Sequence, residues 1–177
     1  MIGYKATING RCLDQFYEVG QTYTLNGELI MCANGFHFCQ DLYDVFTYYS
    51  PNKHTKVFKV ETLGEIKIEE DKSVTNKIKI LEEVNLSNLI VKKYNNKKYF
   101  DDRGYFIKQE YSDGSYYKYE YDNDGNLTKF QNSNGYWDKI EYDENGNKIK
   151  VENSNGCCEK FEYNENNHLK NIIIVKG

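Results

Sequence analysis

The segment Cys32-Ala-Asn-Gly-Phe-His-Phe-Cys39 holds the residues of the N-terminal half that are best suited to chemistry. Only Cys12 adds a further cysteine to this half of the chain. Thiolates and imidazoles are the ligands that zinc takes in structural sites, where a Cys₃His set forms a closed tetrahedral shell. Because His37 and Cys39 are two residues apart, they point to the same side of an extended segment. The pattern predicts a structural zinc ion bound by Cys12, Cys32, His37 and Cys39.

Two other interpretations of these four residues stay open. The Cys-x₂-Cys pair that is typical of zinc fingers is absent, and cysteines often serve as small buried hydrophobic residues. In that case we expect His37 to hydrogen-bond to a backbone carbonyl. In the third interpretation, one cysteine and His37 form a nucleophilic pair.

The composition favours thin, half-solvated β-sheets. Aromatic residues make up 15% of the chain, with 17 tyrosines, and there is one proline. Tyrosine packs its ring while its hydroxyl stays in water. Aromatic residues are also enriched in strands, whereas proline is depleted there.

Charge and hydropathy exclude several kinds of partner. The net charge is −4, and acidic and basic residues are interleaved. No basic face that would grip phosphate is evident, which argues against direct nucleic-acid binding. The N-terminus lacks the apolar stretch of a signal peptide, and no segment approaches bilayer length. We therefore expect a cytoplasmic protein with reduced cysteines and no membrane partner.

The second half of the chain repeats with a period of 21 residues, which is clearest in the lysines at positions 97, 118, 139 and 160. Asp124-Gly125-Asn126 and Asn145-Gly146-Asn147 supply the positive-φ residues of tight hairpin turns. Between the turns, as at 118–121, charged residues alternate with tyrosines. This pattern predicts an antiparallel β-meander of about four 21-residue repeats.

One unit, Tyr121-Asp-Asn-Asp-Gly-Asn-Leu-Thr128, resembles a YD repeat of the Rhs type, and the resemblance extends over roughly residues 97 to 171. In Rhs and teneurin proteins such repeats build long β-sheet shells that enclose cargo. About four units are too few for that, so the resemblance implies a short curved sheet used as a spacer, a dimer surface or a docking face. The apolar strand at 171–175 would seek cover from the N-terminal half or from another chain, which allows a homo-oligomer.

The N-terminal half shows no repeat and contains one clear helical pattern. The apolar residues of 42–49 recur at helical spacing after Asp41, a suitable N-cap, and Ser50-Pro51 would end this helix. Lys77-Ile78-Lys79-Ile80-Leu81 alternates as a strand, although a helix across 73–84 is the alternative there, and Ser87 is a suitable cap for a short final helix. The remaining segments alternate as short strands.

These patterns predict two domains. Residues 1–93 would form a small, mostly antiparallel α+β domain with one or two helices, stapled by the zinc ion. Residues 94–177 would form the YD-type β-repeat domain.

The first domain also carries a family resemblance over about residues 3 to 89. The segments that carry it are Gly3-Tyr4-Lys5-Ala6, Arg11-Cys12, Phe16-Tyr17-Glu18-Val19-Gly20, Gly35-Phe36-His37-Phe38-Cys39 and Asp71-Lys72-Ser73-Val74-Thr75. Together they resemble an uncharacterised domain that is common in phage and prophage proteins, often ahead of a repetitive C-terminal part. The resemblance implies a viral or mobile-element origin but no activity.

A second, shorter resemblance favours an enzyme. Gly35-Phe36-His37-Phe38, followed by the helical segment 41–49, is similar to a part of ADP-ribosyltransferase folds that lines the NAD pocket. The Glu-x-Glu or Gln-x-Glu pattern expected on a later strand is absent, because Lys77-Ile78-Lys79-Ile80 stands in its place.

The function that we predict from these observations is protein binding. We expect a phage- or mobile-element-encoded accessory protein that binds a host protein through tyrosine-rich strands, because such surfaces bury area at low entropic cost. An inhibitor of a host defence effector, such as an anti-CRISPR protein, is its most specific form. The alternatives are an ADP-ribosyltransferase-like enzyme and a virion or structural accessory protein.

The zinc hypothesis predicts that the purified protein contains metal. Chelation should remove the ion and destabilise the fold, because binding energy in a structural site is folding energy. Metal analysis before and after chelation measures this, with Cys32→Ser as the comparison. Unchanged folding without bound zinc would contradict the hypothesis.

Overall fold

The structure is a computed structural model that describes residues 1–49 and 51–176, the side chain of Lys176 excepted. Ser50, the first residue of the predicted Ser50-Pro51 helix stop, therefore lies outside the described residues. The chain divides into two compact units. The first consists of Met1–Val91 with Asp101–Tyr105, and the second of Lys92–Phe100 with the described residues from Phe106 onwards.

The first unit is nearly all β, so the predicted α+β class is wrong. Its described residues contain a single helix, α1 Leu42–Tyr48, which is only seven residues long. Its strands are β1 Ile2–Ile8, β2 Arg11–Cys12, β3 Gln15–Phe16, β4 Thr22–Thr24, β5 Phe36–Phe38, β6 Thr55–Thr62, β7 Ile66–Glu69, β8 Lys72–Thr75 and β9 Lys77–Glu83.

Neither segment that the sequence allows as a second helix is helical in the structure. Residues 73–84 form β8 and β9 instead, because Ile78 and Ile80 alternate with lysines and are completely buried. Ser87 begins a turn in which Asn88 takes the left-handed conformation with φ 54°. The period-two burial of apolar residues thus outweighs any local helical preference.

Two antiparallel sheets build the first unit. One has six strands in the order β3-β2-β1-β6-β9-β4, and the other has three in the order β5-β8-β7. The core takes aromatic and branched residues from both sheets, since alternate side chains of a strand point to opposite faces. Its buried cluster is Tyr17, Phe36, Phe38, Phe58, Val60, Ile78 and Ile80.

Helix α1 begins at the predicted N-cap. The Asp41 carboxylate accepts a hydrogen bond from the Tyr43 N–H at 2.7 Å, which satisfies one of the amides left unpaired at a helix start. Tyr43, Val45 and Phe46 are buried. The cap prediction is confirmed, and the short helix packs against β1.

The repeats form a nine-stranded sheet in which sequence order equals spatial order. From β11 onwards each strand pairs with the next in antiparallel fashion. The strands are β10 Ile90–Lys93, β11 Asn96–Phe100, β12 Phe106–Glu110, β13 Tyr116–Tyr121, β14 Leu127–Asn132, β15 Trp137–Tyr142, β16 Lys148–Asn153, β17 Cys157–Tyr163 and β18 Leu169–Lys176.

A tyrosine hydroxyl makes the same hydrogen bond in successive repeats. Tyr142 donates to the Leu127 carbonyl at 2.9 Å, and the tyrosines 21 residues before and after it bond in the same way. In each case the acceptor lies 15 residues earlier, at the start of the preceding hairpin unit. A β-bulge stands directly before each of these tyrosines.

An aspartate–asparagine pair closes the turn that follows. Asp143 Oδ1 accepts from the Asn147 N–H at 2.8 Å, while Asn147 Nδ2 donates to Asp143 Oδ2 at 2.9 Å. Asp122 and Asn126 repeat this geometry. The hydrogen bonds from Asn147 hold the pKa of Asp143 below its ordinary value. Each turn is thus fixed by its own side chains.

Replacing Tyr142 with phenylalanine should remove one repeat hydrogen bond and leave the packed ring in place. We expect the free energy of unfolding to fall by about 1 kcal/mol, the usual net value of such a bond. Urea unfolding measures the change. Tyr94→Phe is the matched control, because the Tyr94 side chain is 84% exposed; an equal loss in both variants would contradict this role for the Tyr142 hydroxyl.

Candidate functional site

A cavity of about 310 Å³ lies in the first unit, beside β1, β5 and α1. All four residues predicted to bind zinc are part of its lining. The described lining residues are Tyr4, Lys5, Ala6, Cys12, Leu13, Cys32, Ala33, Gly35, His37, Phe38, Cys39, Val45, Tyr48, Tyr49 and Lys72.

Strand β5 sets the position of His37 in this cavity. Phe36 and Phe38 on either side are buried in the core, whereas His37 is half-buried. Gly35 precedes the strand at φ 134°, and a Cβ there would collide with the Val74 side chain. Glycine therefore lets β5 pair with β8, where His37 stands opposite Val74.

The exposed Cys32 contacts two other residues of the lining. Its backbone N–H donates to His37 Nε2 at 2.8 Å, and Lys72 Nζ donates to its sulfur at 3.1 Å. Because an imidazole nitrogen that accepts a hydrogen bond has its lone pair engaged, His37 uses Nε2 to hold the Cys32 loop. Lys72 is the only one of these partners that the sequence did not single out.

The other two cysteines lie deeper. The Cys12 thiol and the Tyr49 hydroxyl are 3.6 Å apart. Burial, and next the hydrogen bond with Cys12, raise the pKa of Tyr49 to about 12, so its hydroxyl keeps its proton. Cys39 is buried, and its backbone exchanges two hydrogen bonds with Tyr4, at 2.7 and 2.8 Å.

The four predicted zinc ligands therefore share one cavity without forming a coordination shell. Across residues 1–49 and 51–176, no three His, Cys, Asp or Glu side chains form a group that could hold a metal ion. His37 Nε2 accepts from a backbone amide. Zinc binding at Cys12, Cys32, His37 and Cys39 stays a prediction, and chelation remains its test.

Lys5, like Lys72, is a lining residue that sequence reasoning missed. Its side chain is 4% exposed, its Nζ donates to the His37 carbonyl at 3.1 Å, and it lies 5.0 Å from the centre of the Tyr17 ring. Burial lowers the pKa of this amine, an effect that Cys12 and then Cys39 oppose. No sequence pattern indicated this burial, because the apolar residues of β1 stand at the alternate positions Ile2, Tyr4, Ala6 and Ile8, whereas Gly3, Lys5 and Thr7 are buried in the structure.

The segment that resembles an ADP-ribosyltransferase does contribute to this cavity. Gly35, His37 and Phe38 line it from β5, and Val45, Tyr48 and Tyr49 line it from the α1 region. No aspartate or glutamate is among the described residues of the lining. Enzymatic activity stays a prediction.

The second unit presents a row of aromatic side chains that contact one another on one face of its sheet. We call this row the aromatic face and define it by Phe106, Tyr117, Tyr119, Phe130 and Tyr136. Ring centres are 5.3 Å apart between Phe106 and Tyr119, and 5.5 Å apart between Tyr119 and Phe130. The Tyr117 ring stacks on the Phe130 ring with their centres 5.7 Å apart, and the centre of the Tyr136 ring lies 6.2 Å from that of Phe130.

No described side chain from Phe106 to Val175 is buried. The opposite face carries charged side chains, such as Lys129, which pairs with Glu120 at 3.1 Å. The aromatic face is therefore a half-exposed apolar surface on a single layer of strands.

The family match covers the first unit. Residues 1–92 match a domain of unknown function, DUF7666, and the chain belongs to this family. The predicted uncharacterised N-terminal domain is thus confirmed, whereas a phage origin and Rhs-type YD repeats stay predictions. No curated protein matches the chain.

In the described part of the chain, no helix is long and apolar enough to span a bilayer. The cytoplasmic location expected from the sequence stays a prediction.

His37 predicts a pH dependence of stability. Burial, and then the charges of Lys5 and Lys72, lower its pKa below the ordinary value of 6.5. The folded state therefore binds fewer protons than the unfolded state, so this contribution to stability is present above about pH 6.5 and is lost as the pH falls through the folded pKa.

Urea unfolding at about pH 7 and about pH 5 measures this dependence. His37→Gln should reduce the loss of stability between the two values, whereas the control His168→Gln, on an exposed turn, should keep it. An unchanged difference in His37→Gln would contradict this role for the imidazole.

Proposed function

We propose that this protein is a protein-binding accessory protein and that its contact surface is the aromatic face of the repeat sheet. The observation that carries the proposal is a row of rings in mutual contact on strands where no described side chain is buried. A host protein is the partner that fits the predicted role.

The energetics support such a contact. Aromatic side chains have few rotatable bonds, and stacking with neighbours restricts them before binding, so ordering them costs little. Tyr117 and Tyr119 also offer hydroxyls at the edge of the apolar surface, which suits the mixed chemistry of transient interfaces. Large aromatic residues are the usual energetic centres of such interfaces.

The sheet supplies a rigid support for these rings. Repeated tyrosine hydrogen bonds join neighbouring hairpin units, and aspartate–asparagine pairs close the turns. Binding sites on fixed strands lose less conformational entropy than sites on mobile loops. The architecture therefore supports capture of a partner with little rearrangement.

A more specific version, the finer form of the proposal, is that a phage or mobile element encodes the protein and that its binding partner is a host defence effector, such as a CRISPR–Cas complex. It rests on the resemblance of residues 3–89 to a domain found in phage and prophage proteins. Expressing the chain in cells that carry an active CRISPR–Cas system tests it. Restored transformation by a targeted plasmid supports the finer form, and unchanged interference contradicts it.

Two variants test the aromatic face. Tyr119 and Phe130 are cross-strand partners, and so are their neighbours Lys118 and Gln131 on the opposite face. Tyr119→Ser with Phe130→Ser should weaken partner capture by the tagged full chain at least about tenfold, the equivalent of ~1.4 kcal/mol. Lys118→Ser with Gln131→Ser, on the same two strands, should leave capture unchanged.

The readout is the binding affinity for the captured protein, measured after circular dichroism shows that both variants are folded. Equal loss in the two variants, or equal retention, would contradict a role for this face. Light scattering separates capture of a host protein from self-association. A change of mass that depends on Tyr119 and Phe130 without any partner would instead assign the face to a homo-oligomer.

A further inference from the structure

We propose that the cavity of the first unit binds a small apolar carboxylate, whose charged end pairs with the amine of Lys5. This inference concerns the family domain and is independent of the aromatic face.

The first argument is a buried amine without a carboxylate beside it in the described lining of the cavity. Lys5 is 4% exposed, and its Nζ donates to the neutral carbonyl of His37 at 3.1 Å. Its Nζ also lies 5.0 Å from the centre of the Tyr17 ring, and the described lining of the cavity offers it no carboxylate. Removing an ammonium from water is expensive unless an anion or several hydrogen bonds compensate. A bound carboxylate would supply that anion.

The second argument is the charge of the lining as a whole. Lys5 and Lys72 enter the cavity from β1 and β8, while the described lining contains no aspartate or glutamate. The negative charges of Glu69 and Asp71, which lie outside the lining, already favour the charged form of Lys72, and its amine donates to the Cys32 sulfur. Lys5 is therefore the amine that gains most from an anionic ligand.

The third argument is the size and polarity of the remaining wall. Ala6, Phe38 and Val45 contribute apolar surface, and Tyr4 and Tyr49 contribute rings. A cavity of about 310 Å³ corresponds to roughly ten water-sized groups at ~30 Å³ each. Pockets of this size with apolar walls and few convergent polar groups are typical of small-molecule sites. A monocarboxylate of the size of octanoate fits these limits.

Calorimetry on the full chain tests the inference with octanoate and with octanamide, which has the same length and no charge. We expect octanoate to bind at least about tenfold more tightly, since the pair with Lys5 is absent in octanamide. Lys5→Met keeps the side-chain length and should abolish the difference. Equal binding of both compounds, no binding of octanoate, or undiminished octanoate binding by Lys5→Met would overturn the proposal.

A second measurement keeps the test valid if Lys5→Met does not fold. Amide NMR signals of the unmodified protein are followed during an octanoate titration. We expect shifts at Lys5, Cys12 and His37, and none in β13 to β16 of the second unit. Shifts confined to residues outside the cavity would overturn the inference whatever the variant does. Because the readout lies in the first unit, failure here leaves the proposed role of the aromatic face untouched.

Discussion

A β-sheet that is one layer thick cannot bury both of its faces, and this constraint governs the second unit. Its backbone groups are satisfied by neighbouring strands, so stability has to come from contacts along the sheet rather than from a core. The ring contacts from Phe106 to Tyr136 and the Tyr142 hydrogen bond to Leu127 are such contacts. The same half-exposed rings form the surface that we propose for protein binding.

The first unit, in contrast, is stabilised by a buried core. Its two sheets enclose a core of large side chains, and Ile78, Ile80, Val57 and Val60 have no exposed surface. Beside this core the chain retains a cavity with a buried lysine, which is costly unless something compensates it. Interiors are normally close-packed, so a cavity of about 310 Å³ with a buried lysine in its lining is a specific feature of this unit.

The sequence predicted local features, such as a helix cap, better than it predicted the fold class or the geometry of the candidate site. The Asp41 cap was readable because a short carboxylate before a helical pattern has one dominant use. The α+β class failed because the described residues form one helix of only seven residues. The alternation of lysine and isoleucine at 77–80 indicated a strand, and burial of Ile78 and Ile80 in the sheet decides against the helix that the sequence also allowed there.

The candidate site shows the same limit. Cys12, Cys32, His37 and Cys39 all reach one cavity, yet the imidazole of His37 binds a backbone amide and the Cys32 sulfur contacts Lys72. The Cys32 amide is only five residues from His37, but the loop that turns it towards the imidazole is not readable from spacing. Lys72 lies 40 residues from Cys32, and spacing along a sequence does not encode that contact. Lys5 was overlooked because a lysine in a strand is usually solvated.

Each hairpin unit of the repeat sheet carries its own turn lock and its own hydroxyl link to the unit before it. An in-frame duplication or deletion of one unit would therefore insert or remove a complete module without requiring compensating changes elsewhere. Genes that encode such arrays can change the length of the exposed surface in single recombination events. Reach and contact area can thus evolve separately from the domain to which the array is attached.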